Sequence, residues 1–385
     1  MTEIDTALPL DQASGRVTRA LLGLLAPLTA VAVCLGLTAI LLAVLPSSRD
    51  EPHSFWQSMA IIAQTFWRNV LLPRPPAMDA GYRNWIVTLE NATPILLTGL
   101  AITAAFRANA LNIGTQGQYV LGAIATTVIG IYLHAPAVLL IPLHLLAAMA
   151  AGAIFAAIAA ALERWRNVPV VLSTLLLNFV AMEFLFYLLQ GPLRAVAEDG
   201  SLLDPQSPEL LPAARLPQFF SPIAALGLHL GFFIALAAAA MLGFILSKTT
   251  FGFRLRVLGQ NPQAARFAGI NTARVSLATM ALSGALAGLA GGVRVAGVAP
   301  YQLYRDVGMD GIGFTSIAVA LLGRLSPLGV VFSAIFFGVL NTTFKALERS
   351  DLDVHSVAAQ GVQGALVIAV LIVTTPQWVR RLKRR

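Results

Sequence analysis

Apolar runs of about 20 residues recur along this chain, separated by short polar stretches. They lie at about 20–45, 86–106, 114–133, 137–161, 169–189, 223–246, 273–297, 311–323, 327–346 and 355–375. A helix rises about 1.5 Å per residue, so each full-length run can cross a hydrocarbon layer roughly 30 Å thick. Lipid offers no partner to backbone polar groups, so spans of this length are helices. The pattern predicts an all-α polytopic membrane protein of about ten transmembrane helices. The eighth run, 311–323, is too short to cross alone and reads as a half-helix or as an element covered by protein. The first run follows Arg16 and Arg19 and is too long for a cleavable signal, so it reads as an anchor. A transmembrane domain over 20–375 therefore lies between a tail at 1–19 and a basic tail at 376–385.

Composition agrees with this division. The chain is 57% hydrophobic and 11% charged, with a mean hydropathy of +0.76. Its net charge of +8 could suggest nucleic acid, but the cations sit between spans. With the N-terminus inside, the inner loops collect Arg16, Arg19, Arg107, Arg164, Arg166, Arg324 and the tail residues Arg380, Arg381, Lys383, Arg384 and Arg385. Glu3, Asp5, Asp11 and Glu163 are the acidic residues on that side. The positive-inside rule then predicts both termini in the cytoplasm of a bacterial cell (inner) membrane protein, facing lipid rather than nucleic acid. Cys34 is the single cysteine and lies within an apolar run, which excludes disulfides and cysteine metal sites.

Three polar segments stand out. The outer segment 46–85 contains FWQSMAIIAQTFWRNV, an amphipathic stretch expected along the membrane interface with Trp56 and Trp67 as anchors. The outer loop 190–222 is rich in proline and acid, and reads either as a solvated connector or as a landing surface for an external partner. The inner loop 247–272 belongs to a polar island, KTTFGFRLRVLGQNPQAARFAGINTAR, with five cations (Lys248, Arg254, Arg256, Arg266, Arg274) and no acid. Within it Asn261 suits an N-cap, Pro262 the first helical position and Gly269 a left-handed terminator. The run they enclose, 262–268, allows about two turns, roughly 10 Å. A stiff basic helix on one face of a membrane protein suits a soluble partner.

Candidate chemistry is sparse. The chain has no Walker-type phosphate loop, no His-Glu-x-x-His pattern and no Gly-x-Ser-x-Gly elbow, so no catalytic residue, cofactor or metal is expected. Its five histidines are dispersed, mostly near span ends. Polar groups inside spans are costly and usually face protein or a water-filled path. Glu90, Asn91, Asn178 and Asn341 are of this kind, and each reads either as helix glue or as the lining of a substrate route. ALNIGTQGQ at 110–118 places Asn112, Gln116 and Gln118 where the third span begins. That start is either an ordinary capped turn or an unwound segment exposing amides to a pathway. The row Ser283, Gly284, Gly288, Gly291, Gly292 marks tight helix packing. Gly308, Gly311 and Gly313 suggest a broken helix ahead of the eighth span.

Together these segments resemble the membrane permeases of bacterial ABC importers, in the group covering branched-chain amino acid, simple-sugar and nucleoside systems. TPILLTGL at 93–100, LNIGTQGQ at 111–118, LSTLLLN at 172–178, GQNPQAARFAGI at 259–270 and the segment 311–329 carry the resemblance, which is closest to the nucleoside and simple-sugar branch. It departs at Gln116, where an acidic residue is common, and at Phe179, where tyrosine is. The resemblance implies a ten-helix permease core for a small polar solute, most fittingly a nucleoside. Simple sugars or branched-chain amino acids are the alternatives, and an ion-coupled carrier using Glu90 or Glu183 is the rival mechanism. It also implies a cytosolic ATPase dimer that hydrolyses ATP, a second, paralogous permease and an external solute-binding protein. The coupling residues would be Gly259, Asn261, Pro262, Ala264, Ala265, Arg266, Phe267 and Gly269. The pathway residues would be Glu90, Asn91, Asn112, Gln116, Asn178 and Asn341.

Overall fold

The computed structural model describes residues 78–196, 201–223, 226–304 and 306–348, together with residue 60. The expected tail 1–19, first span 20–45, most of the segment 46–85, the tenth span 355–375 and the tail 376–385 lie outside the described residues. The described residues belong almost wholly to one compact unit, Gln64–Leu347.

That unit is helical. Its elements in order are α1 (Met78–Arg107), α2 (Thr115–Tyr132), α3 (Ala137–Arg166), α4 (Val170–Gln190), a 3-10 turn (Pro212–Ala214), β1 (Gln218–Ile223), β2 (Leu226–His229) and α5 (Leu230–Lys248). There follow α6 (Thr250–Gln260), α7 (Pro262–Phe267), α8 (Thr272–Gly297), α9 (Asp306–Met309), α10 (Ile312–Leu322) and α11 (Pro327–Glu348). Among the described residues, five helices are long and apolar enough to cross a membrane: Trp85–Arg107, Ala137–Arg166, Val170–Gln190, Leu230–Lys248 and Thr272–Gly297. Ile312–Leu322 and Pro327–Thr343 are shorter apolar helices. The expected half-helix at 311–323 is α10, entered through Gly311 at φ +65°.

α8 is the axis of this unit and packs against α1, α2 and α3. Its glycine row makes this possible, because a Cβ on Gly284 would lie 2.2 Å from the Gly152 carbonyl oxygen. On Gly288 it would meet the Ala148 oxygen at 2.1 Å, and on Gly291 the Tyr119 oxygen at 2.0 Å. Backbones this close leave no room for any side chain. By contrast α3, α4 and α5 leave much of their apolar surface uncovered, as Leu139, Ile154, Leu176 and Phe244 show. That is the surface a membrane or a partner subunit covers.

Two expectations change. The sixth span does not begin at 223: an antiparallel hairpin, Gln218 opposite His229, precedes it, and α5 starts at Leu230. The loop 190–222 is not a solvated connector. Leu193, Ala195, Leu210, Ala214 and Leu216 are buried. Leu211 N donates to the Gly130 oxygen at the end of α2, and Leu216 N to the Ala296 oxygen at the end of α8. Its apolar residues, scattered among prolines and acids, carry no period that would announce a packed segment.

Candidate functional site

The N-terminal end of α8 is prepared by the short helices before it. Thr249 caps α6 by accepting from Gly252 N at 3.0 Å. α6 rests on the end of α1 at Gly259, where a Cβ would lie 1.9 Å from the Arg107 oxygen. Asn261 then caps α7, its Oδ1 accepting from Gln263 N and Ala264 N at 3.0 Å each. Gly269 closes the turn at φ +74°, and Asn271 starts α8 by accepting from Arg274 N. Each capping position expected from the sequence is therefore occupied as expected.

The coupling candidates divide into two faces. Pro262, Ala264, Arg266 and Phe267 are exposed, and Phe267 is 93% accessible. Ala265 is fully buried and Gly259 is pressed against α1, so these two seat the helix rather than present a surface. Arg107 extends the seat, since its Nε donates to the Leu325 oxygen at 2.6 Å between α10 and α11.

Midway along α8, Ser283 Oγ donates to the Ala101 oxygen of α1 and accepts from Asn112 Nδ2 at 3.0 Å. Asn112 and Gln118 exchange two amide hydrogen bonds, at 3.0 and 3.1 Å, and Asn112 Oδ1 also accepts from Gly114 N. Asn178 of α4 accepts from Gly117 N at 2.8 Å and donates to the Ile113 oxygen at 3.0 Å. The start of α2 is thus neither side-chain capped nor open. It is an unwound turn tied on both sides by buried amides.

The Arg294 end of α8 carries a cluster of which the sequence nominated Gln116 alone. Asp310 is exposed in the break between α9 and α10, yet its carboxylate is fixed. It accepts from Gln116 Nε2 at 3.1 Å, from the buried Tyr119 Oη at 3.0 Å and from Ile312 N at 3.2 Å. Gln116 Nε2 also reaches the Val307 and Gly308 oxygens, while its Oε1 accepts from Gly313 N at 2.7 Å. Arg294 of α8 lies near enough to act electrostatically on Tyr119, Asp310 and His229. Along α8, Arg294 stands about 33 Å from Thr272. The exposed α7 and the polar cluster therefore lie at opposite ends of α8.

The amide of Gln116 is used on both its nitrogen and its oxygen. A carboxylate there could donate neither to two carbonyls nor to Asp310. The remaining pathway candidates lie elsewhere. Asn91 Nδ2 donates to Thr342 Oγ1 at 3.4 Å, and Thr88 to the same hydroxyl at 3.1 Å. Asn341, beside Thr342 on α11, is half-buried. Glu90 is buried, and its charge is felt at Tyr301. The structure therefore brings Asn112, Gln116 and Asn178 together around the start of α2, while Asn91 ties α1 to α11 through Thr342. Phe179 and Glu183 are exposed on α4. Among the described residues no group of histidine, cysteine and acidic side chains could hold a metal.

Residues 86–372 match the family described as the permease component of the branched-chain amino acid transport system. The chain belongs to this permease family. It is 36% identical over 309 residues to a glucose ABC transporter permease protein of Haloferax volcanii, covering 76% of each chain. It is 34% identical over 260 residues to a guanosine ABC transporter permease protein of Bacillus subtilis, covering 66% of this chain and 71% of that one. A nucleoside ABC transporter permease protein of Lactococcus lactis is 31% identical over 257 residues, covering 66% and 70%. The protein is a multi-pass membrane permease component of an ABC transporter.

Proposed function

We propose that this permease forms the translocation route of an ATP-driven importer for nucleosides. The observation that carries the reading is the arrangement along α8. An exposed, capped, basic helix leads into its inner end, and a fixed carboxylate with Tyr119, Gln116 and Arg294 stands at its outer end. α7 is the element that docks on a cytosolic ATPase dimer, through the exposed Phe267, Ala264 and Pro262, with Arg266 adding positive charge beside them. Asn261 and Gly269 stiffen it, and Ala265 and Gly259 seat it. Movement of α7 passes directly into α8, and through Arg107 into the loop before α11.

In this reading both termini are cytoplasmic, and ten spans include 20–45 and 355–375. A paralogous permease completes the route, and an external binding protein delivers solute. Glu90, Asn91, Asn112, Gln116, Asn178 and Asn341 line or shape the passage, with Asp310 added. A nucleoside offers hydroxyl and base-edge donors and acceptors that such groups can match weakly, as a channel requires. The guanosine and nucleoside permeases among the relatives support the substrate class.

The glucose permease favours a second reading, a simple sugar. Competition decides between them: uptake of labelled guanosine by cells expressing the full system, challenged with unlabelled adenosine, glucose or leucine. Competition by adenosine alone supports a nucleoside route. Competition by glucose alone transfers the reading to sugars, and by leucine alone to amino acids.

A further inference from the structure

A cleft of about 980 Å³ opens between the inner end of α3 and the α7–α8 junction. Its size is at the upper end of the roughly 300–1,000 Å³ typical of ligand clefts. Its wall is apolar, from Ile154, Ala157, Ile158 and Ala161 of α3 and Leu277 of α8. Ile154, Ile158 and Leu277 are exposed, so the wall is an open trench rather than a closed core. Its rim is cationic: Arg164 and Arg266 both line the cleft and are both exposed. Neither guanidinium is paired with a carboxylate among the described residues, although Glu163 lies on the same rim. Arg166 and Arg274, exposed close by in sequence, add to the positive field. Trp165 completes the rim, 75% exposed at the end of an apolar span where indoles favour a headgroup boundary.

An apolar trench under an unpaired cationic rim matches one class of ligand. We infer that this cleft binds an anionic phospholipid, its acyl chain against Ile154, Ile158 and Leu277 and its phosphate between Arg164 and Arg266. A soluble anion would have no use for the trench, and a zwitterionic lipid would gain little from two unpaired guanidiniums. The site joins α3 to α7, so the lipid braces the short helix against the longest span. This holds whatever solute crosses.

Trp165 reports on the site. In a full-length variant with Trp56, Trp67, Trp85 and Trp378 changed to Phe, its fluorescence is measured in nanodiscs containing brominated phosphatidylglycerol or brominated phosphatidylcholine. Native mass spectrometry of the unmodified chain counts retained lipid. The inference requires stronger quenching by the glycerol lipid, and phosphatidylglycerol retention that falls on the order of tenfold in R164Q/R266Q. Equal quenching by the two lipids overturns it, as does retention unchanged in the double variant. Loss of glycerol-lipid quenching on adding the ATPase subunit also overturns it, since a protein segment then fills the cleft.

Discussion

Asp310 is the residue whose chemistry is hardest to explain as packing. A carboxylate in a break between membrane helices is costly, and this one is held by a buried tyrosine, an amide and a backbone N–H while remaining exposed. Three donors fix its direction, which suits a group that meets a passing solute. Asp310→Asn keeps the size, removes the charge and turns an amide N–H toward donors. The expected outcome is guanosine uptake reduced about tenfold or more, with expression and ATPase association unchanged. Uptake at the wild-type rate would return Asp310 to a structural role. Gln116→Glu fails differently, because the new carboxylate faces two carbonyls and Asp310 without a hydrogen to give. It should lower thermal stability by about 2–3 kcal/mol, read as a reduced melting temperature of the purified permease. Gln116 was legible as a pathway candidate, but its tie to Asp310 was not. Asp310 lies 191 residues from Tyr119 in the chain, and no local period or spacing joins them.

At the scale of elements, α7 and α8 carry opposite kinds of information. α7 was legible almost residue by residue, because caps act locally: Asn261 on the next three residues, Gly269 through its own φ. Which of its residues face outward was not legible, since a six-residue helix has too few turns to show a face. That difference matters for testing. Phe267→Glu changes only exposed surface, so it should abolish co-purification with the ATPase while leaving thermal stability within about 0.5 kcal/mol. Ala265→Glu would instead bury a charge and unseat the helix, so its failure would say nothing about docking. Asn261→Ala should cost about 1 kcal/mol of local stability and weaken coupling in proportion. In α8, Gly288→Leu must displace the Ala148 backbone, and the expected outcome is loss of folded protein on size exclusion. The packing role of that glycine row was readable from its spacing. The hairpin before α5 was not, because its strands sit beside an apolar run that hydropathy merges with the span.

At the scale of the whole molecule, the account depends on force entering at one end of α8 and solute chemistry residing near the other. The account takes its energy from a partner ATPase, and the rival takes it from an ion gradient. Among the described residues, the buried Glu90 and the hydrogen-bonded Asp310 are the carboxylates against which an ion-coupled carrier is tested. The decisive measurement is guanosine uptake into proteoliposomes holding this permease, its paralogue and the ATPase, with the binding protein supplied outside and ionophores dissipating every ion gradient. The account predicts uptake that requires enclosed ATP, proceeds at the same rate with and without ionophores, and disappears with Phe267→Glu in the permease. Uptake that persists without ATP, or that collapses when the gradients do, would contradict it.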